Sequence, residues 1–342
     1  MITEAIPESI PLSAQLIRMG YGFMYTKLVY MAASLNLGEK LANGPRSSSD
    51  LAEELQLHPP NLYRLMRAIA GEGILTEVEE GVFGLTAMGE CLKPDHPGLA
   101  YDSILASCSP AVIAAWEKMP EVLEHGGVGF ERAFGRGWFE WLSERPELSA
   151  RFNKSMAGVF GMEPPLVAEA YDFSQFDSIV DVGGGNGNLL SHILSRHQGP
   201  SGLVFDQPHV VAEAPALLNE RGISDRIATQ GGDFFESVPP GFDACILSHV
   251  IHDWEEDLAV KILENCRKAI QPGGKLLILE WILPEGDTPH VAKVVDINMM
   301  MLMGGEERTG KQYARLLEKS GFQMNRIIPT ACECSIVEAL PV

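Results

Sequence analysis

The stretch Ile179-Val-Asp-Val-Gly-Gly-Gly-Asn-Gly-Asn-Leu-Leu190 constrains this chain more than any other. Apolar residues lead through Asp181 to Val182, which reads as a short buried strand. Gly183, Gly184 and Gly185 follow, then Asn186 and Gly187, and then a helical run from Leu189 to Leu194. Consecutive glycines cost backbone entropy, and they let a backbone approach a ligand closely because no Cβ intervenes. A strand that turns through glycines into a helix makes a crevice at the carboxyl edge of a parallel sheet. The next hydrophobic strand, Gly202-Leu-Val-Phe205, ends in Asp206. An acid about 20 residues beyond the glycines is placed to grip ribose hydroxyls. The pattern is that of a nucleoside-cofactor site.

The glycine spacing narrows the cofactor. A dinucleotide fingerprint requires G-x-G-x-x-G. Here Gly183, Gly185 and Gly187 give G-x-G-x-G, and Asn188 stands where the last glycine belongs. Asp181 adds negative charge close by, which opposes a pyrophosphate. An amino acid and a sulfonium suit the site better than phosphates, and the spacing argues against a nicotinamide oxidoreductase.

Downstream, strands and helices alternate. Strands are expected at 178–183, 202–206, 227–230, 242–247 and 275–283. Helices are expected at 188–197, 210–219, 255–270 and 311–320, with Pro272-Gly-Gly274 as a stop and two final strands near 322–329 and 332–340. This predicts an α/β fold with a mostly parallel seven-stranded sheet and an antiparallel last strand. Asp233, in Gly231-Gly-Asp-Phe-Phe235, follows a strand end and can accept from an adenine amino group; its plainer reading is a turn residue. Strand four leads into Ser248-His-Val-Ile-His252-Asp-Trp254. His252 is the candidate base, since an imidazole titrates near neutrality. Glu280, inside the apolar strand Leu276–Leu283, is costly there unless paired. Glu306-Glu307 follow Gly304-Gly305. One of these acids could orient His252; the plainer reading has Glu280 capping backbone groups and Glu307 paired with Arg308.

The amino-terminal third is helical. Ser49 or Asp50 is expected to cap a helix from Leu51 to Leu55. Pro59-Pro60 open a second helix, and Leu75 to Leu85 reads as a hairpin with Glu80-Gly81 at its turn. Helix, turn, helix and hairpin outline a winged helix. DNA binding is disfavoured, because the second helix offers only Arg64 and Arg67, the wing is acidic, and the chain carries a net charge of -20. The same charge opposes anionic membranes. A packing or dimerisation module fits the apolar first helices better. Residues 100–175 are rich in large side chains, including Phe130, Phe134, Trp138, Phe139, Phe152, Met156 and Phe160; these are core, or a pocket for a flat ring. Three regions follow: 1–100, 101–175 and 176–342. The six cysteines show no zinc-finger pattern and suit a reducing, cytoplasmic setting. The start of the chain has no signal-peptide pattern, and no apolar run reaches membrane-spanning length.

Taken together, Phe152-Asn-x-x-Met156, Val180-Asp-Val-Gly-Gly-Gly-x-Gly187, Phe205-Asp-x-Pro-His209, Gly231-Gly-Asp-Phe234, His252-Asp-Trp254, Glu280-x-Ile-Leu-Pro284, Asp296 and Gly304-Gly-x-Glu-Arg-Thr309 resemble the S-adenosylmethionine-dependent O-methyltransferases of the plant caffeic-acid and bacterial polyketide or phenazine type. The resemblance covers nearly the whole chain. It implies that His252 takes the proton of a phenolic hydroxyl, with Glu280 and Glu307 flanking it, and that no metal is needed. It also implies that S-adenosylmethionine is held by Asp181, Gly183, Gly185, Asp206, Gly232, Asp233, Phe234, Ser248 and Trp254. Met156 and Met299 would pack on the substrate ring, with Phe152, Asn153, Phe160, Asp253 and Met303 as further substrate contacts. A homodimer through the amino-terminal region is implied as well. Two departures stand out: Ser248 replaces the lysine of the plant enzymes, and Glu306 replaces a residue usually basic in bacterial relatives.

Overall fold

The computed structural model describes residues 10–342, without the side chains of 157–160. The chain forms two compact units. One comprises the chain up to Ile113 together with Trp141–Gly161; the other comprises Ala114–Glu140 and Met162–Val342. The middle of the sequence is thus shared between them.

In the first unit, strand β1 (Arg46–Ser47) and the hairpin β2 (Leu75–Glu79) and β3 (Val82–Leu85) form a three-stranded sheet in the order β1-β3-β2. The helices Ser48–Glu54 and Pro59–Gly71 pack with it. This is the winged-helix outline. The cap of the first of these helices is Ser47, whose hydroxyl accepts from the N–H groups of Ser49 and Asp50. It is neither Ser49 nor Asp50, because the helix starts earlier than its apolar residues do. Leu51, Leu62, Met66, Ile69 and Phe83 fill this unit's core. The helices Leu12–Gly20 and Gly22–Ser34 leave Leu12, Leu16, Ile17, Met19 and Phe23 exposed, an apolar surface of the kind that receives a partner.

The second unit is built on strands β4 (Ser178–Val182), β5 (Ser201–Asp206), β6 (Ile227–Gly231), β7 (Phe242–Ser248), β8 (Ile270–Leu283), β9 (Arg308–Thr309), β10 (Phe322–Pro329) and β11 (Cys334–Pro341). Seven of them lie in the order β6-β5-β4-β7-β8-β11-β10, and the two-residue β9 adds to β8. β4 through β8 pair in parallel; β11 runs antiparallel to both β8 and β10. The sheet is covered on both sides, so alternate residues feed opposite cores. Val180, Val182, Cys245, Leu247, Leu276 and Ile278 join the cluster with the helices Glu256–Ala269 and Gly310–Lys319. Ile179, Ile246, Leu277 and Leu279 join the cluster with Asn188–Arg196 and Glu163–Ala170. The Pro272-Gly-Gly274 stretch lies inside the pairing of β8, as a register shift between Phe242 and Ala244 of β7. The helix ends at Ala269, just ahead of this stretch as expected, and the glycines then form a bulge in the strand. Phe130 and Trp138 are buried edge-to-face, with centroids 5.0 Å apart, so in this unit those aromatics are core.

Candidate active site

The chain runs from β4 outward to β5 and β6, then returns to the other side of β4 as β7. The carboxyl ends of β4 and β7 therefore flank the reversal in strand order, where open parallel sheets take their ligands. Both sequence motifs sit there. β4 delivers Gly183 and Gly185, with φ of +73° and +58°, values that disfavour any residue with a Cβ. A Cβ on Gly183 would lie 2.7 Å from Val250, whereas around Gly185 the space is open. Asp206, at the end of β5, accepts from the Gly185 N–H at 2.8 Å and from the Gln207 N–H. Asp181 is buried beneath the turn, and neither of its oxygens has a hydrogen-bond partner among the described residues. Burial, and secondarily the charge of Asp206, push Asp181 up to about 7; burial also raises Asp206. Two close carboxylates beside an open glycine backbone fit a ligand that brings an ammonium and ribose hydroxyls. They do not fit a pyrophosphate.

The aromatic side of this edge comes from two loops. Gly232 lies so close to the Phe205 ring that a Cβ would sit 2.3 Å from it. Asp233 is exposed and accepts from the Phe235 N–H at 2.8 Å, so it does act as a turn residue. Phe234 and Phe235 stand edge-on to Trp254, with centroids 6.2 and 4.8 Å away. Ser248 is the last residue of β7 and half-buried.

His252 lies in a 3-10 turn, Ile251–Asp253, just past β7. Its Nδ1 is 2.8 Å from Glu307 Oε1 and 3.3 Å from Glu280 Oε2. The other oxygen of Glu280 accepts from the N–H groups of Ile251 and His252, at 3.0 and 3.3 Å. Both readings of Glu280 therefore hold at once, for one carboxylate caps the turn and flanks the ring. Glu307 is on His252 and not on Arg308; Arg308 pairs instead with Glu306, at 3.0 Å. The Glu307 N–H donates to Asp296 at 2.9 Å. His252, Glu280 and Glu307 are all buried. Burial works against the imidazolium, but Glu280, Asp253 and Glu307 outweigh it and push His252 up to about 10. Burial raises Glu280, and it pushes Asp253 up to about 6. Asp253 lies 3.6 Å from His252 Nε2. A neutral His252 with its Nδ1–H directed at Glu307 presents a lone pair at Nε2, the arrangement of an oriented general base.

Met299 is buried and Met303 half-buried on or just after the helix Ala292–Leu302, in the same unit as His252. Phe152, Asn153 and Met156 belong to the other unit, on the helix Pro146–Phe160. Phe160 lies outside the described side chains. Sequence reading missed Glu163, whose oxygens accept from Trp281 Nε1 at 2.7 Å and pair with His249 Nε2 at 2.6 Å. His249 has φ of +51°, and its Nδ1 lies 3.7 Å from Glu280 Oε2. Metal-capable donors also converge that no sequence spacing announced: Glu163 with His249 and Cys334, and His249 with His252 and Glu280, each within 4.8 Å. They come from elements far apart in the chain.

A crevice at the strand reversal, two carboxylates at its glycine turn, and an acid-flanked histidine just past β7 together point to a class. The chain belongs to the class I S-adenosylmethionine-dependent O-methyltransferases. Residues 116–323 match the O-methyltransferase domain, and residues 17–95 match the O-methyltransferase dimerisation domain. A phenazine O-methyltransferase, PhzM, of Lysobacter antibioticus is 39% identical over 98% of this chain and 98% of its own. An 8-amino-8-demethylriboflavin N,N-dimethyltransferase of Streptomyces davaonensis is 32% identical over 91% and 90%. The O-methyltransferase NcsB1 of neocarzinostatin biosynthesis, solved with S-adenosylmethionine and 2-hydroxy-5-methyl naphthoic acid, superposes with a TM-score of 0.83 at 29% identity, over 93% of this chain and 96% of that one. No helix among the described residues is long and apolar enough to cross a membrane.

Proposed function

We propose that this protein transfers the methyl group of S-adenosylmethionine to a phenolic hydroxyl of a small aromatic metabolite, with His252 as general base and without a metal. The Nδ1 contact of His252 with Glu307, at 2.8 Å, carries the reading. The cofactor, when bound, supplies an electrophilic methyl for in-line displacement. Asp181, Gly183, Gly185, Asp206, Gly232, Asp233, Phe234, Ser248 and Trp254 would hold it, with Asp206 at the ribose and Asp233 at the adenine. The protein's part is to position the reactants and generate the nucleophile. His252 Nε2 takes the hydroxyl proton. Glu307 and Glu280 then face the imidazolium, whose charge they stabilise.

A base held near pKa 10 is protonated at neutral pH in the free protein. His252 releases that proton more easily once a cationic ligand occupies the neighbouring carboxylate site, because like charges disfavour each other. Met299, Met303 and Asp253 would line the acceptor. The assignment of Phe152, Asn153, Met156 and Phe160 to the substrate rests on the resemblance alone. A homodimer through the dimerisation domain, a cytoplasmic setting, and no role for nucleic acid or membrane complete the proposal.

The test is transfer of labelled methyl to a panel of phenols, catechols, flavonoids and hydroxylated polyketides, read by mass, with His252→Ala as control. A labelled methyl ether from the wild type and none from the variant is expected; normal turnover by the variant removes His252 as the base. The riboflavin-type relative favours a second reading, transfer to an aromatic amine. Aniline-type acceptors in the same panel distinguish the two.

A further inference from the structure

The segment Gly304–Arg308 holds more than Glu307. Arg308 is 2% exposed, and its guanidinium reaches the turn that carries the base from both sides. Nη1 donates to the carbonyl of Ile251 at 3.0 Å and Nη2 to the carbonyl of Trp254 at 3.0 Å. These carbonyls bracket His252 and Asp253. The third edge, Nε, is 3.0 Å from Glu306 Oε1. Arg308 is itself anchored, since β9 pairs with β8 and places Arg308 opposite Ile282. Gly305 closes the arrangement: a Cβ there would lie 1.9 Å from the carbonyl oxygen of His252. Segment and turn therefore meet backbone to backbone, with Glu307 on the ring and Arg308 on the flanking carbonyls.

We infer that Arg308 is a positioning residue for the base, a three-edged clamp that fixes the distance between His252 and Glu307, and that Glu306 sets the orientation of the clamp. A guanidinium presents these donors from three nitrogens in one rigid plane, whereas an ammonium offers all of its donors from a single atom and cannot span the same separated acceptors. This gives Glu306 a role in place of the basic residue expected there: an acid matches the free edge of the buried Arg308, where a second cation would oppose it. The inference rests on His252 being the base.

The test compares Arg308→Lys, Glu306→Ala and His252→Ala in the full-length protein. Three quantities are measured: kcat, the pH profile of kcat/KM, and S-adenosylhomocysteine affinity by calorimetry. For Arg308→Lys, kcat is expected to fall on the order of 10–100-fold, as for a reacting group displaced by about an ångström, with S-adenosylhomocysteine affinity kept. Its limb in the pH profile should move to lower pH, since His252 drifts from the carboxylate of Glu307. Glu306→Ala should show the same shift to a smaller extent. An unchanged kcat and profile in Arg308→Lys overturns the clamp. So does a parallel loss of turnover, cofactor affinity and thermal stability, which marks a merely structural role. If Arg308→Lys does not fold, Glu306→Ala decides, and an unmoved profile there overturns the inference. A fully active His252→Ala defeats the underlying reading instead, whatever Arg308 does.

Discussion

Two carboxylates with no solvent exposure sit on neighbouring antiparallel strands, and they are treated in opposite ways. Glu338 on β11 accepts from the Tyr171 hydroxyl, Lys275, Arg326 and Asn325. Burial alone would raise it, but these partners outweigh burial and hold it at about 2. Glu280 on β8 receives two backbone N–H groups and faces imidazoles, and burial leaves it raised. Glu338 is surrounded by fixed cations and serves as a staple. Glu280 is paired with groups that can gain or lose a proton, so its environment changes with the state of His252. A buried acid matched to permanent charges reads as structure; one matched to titratable partners reads as chemistry.

His252→Ala tests the chemical side most severely. Turnover should drop by about 10²–10⁴, the usual worth of a general base, while S-adenosylhomocysteine still binds in a calorimeter. Glu338→Gln tests the other side. It should cost about 2–3 kcal/mol in a denaturant titration, less than the loss of a fully enclosed pair, because Lys275 and Arg326 reach water. The sign with pH follows: a depressed carboxylate stabilises the fold above its unfolded value of 4.5 and loses that contribution as pH falls toward 2. A Glu338→Gln protein that is as stable as wild type at pH 7 would erase the contrast.

Glu307→Gln sharpens it. The amide can still accept from Nδ1–H, so kcat should fall by only about tenfold, the scale of one weakened hydrogen bond. With one anion gone, His252 should titrate lower, and the limb of kcat/KM should shift to lower pH. An upward shift would refute the electrostatic account. Asp181→Asn gives the smallest effect. A buried carboxyl raised to about 7 contributes stability that is fully present below its unfolded value of 3.8 and is lost as pH rises through 7. Its amide should therefore raise Tm at pH 8 by roughly 2–4 °C for each kcal/mol recovered, and weaken S-adenosylhomocysteine binding. A lower Tm would mean that Asp181 is structural.

The glycine turn, the acid at the end of β5, the alternation of strands and helices and the histidine beyond β7 were legible in sequence, because each is a local pattern of a few residues. Short continuous apolar runs bounded by turn residues mark buried strands before any neighbour is known. Asp206 was reachable because strand ends in such sheets face the ligand crevice. What could not be read was pairing. Between Glu306 and Glu307 the sequence offered two acids and one Arg308, and the structure gave the histidine to Glu307 and the arginine to Glu306. Glu163 carries no local signal, yet it meets Trp281 of β8 and His249 just past β7, about a hundred residues away.

The sequence by itself determined the fold class and the glycine crevice and singled out His252 as the candidate base, since these follow from apolar runs, from glycines free of Cβ and from side-chain chemistry. Only the tertiary structure decided which carboxylate orients His252, that Arg308 grips its turn, and that Glu338 is a staple while Glu280 is not. Those assignments turn on distances of about 3 Å between residues far apart in the chain, and no spacing along a sequence encodes a distance across a sheet.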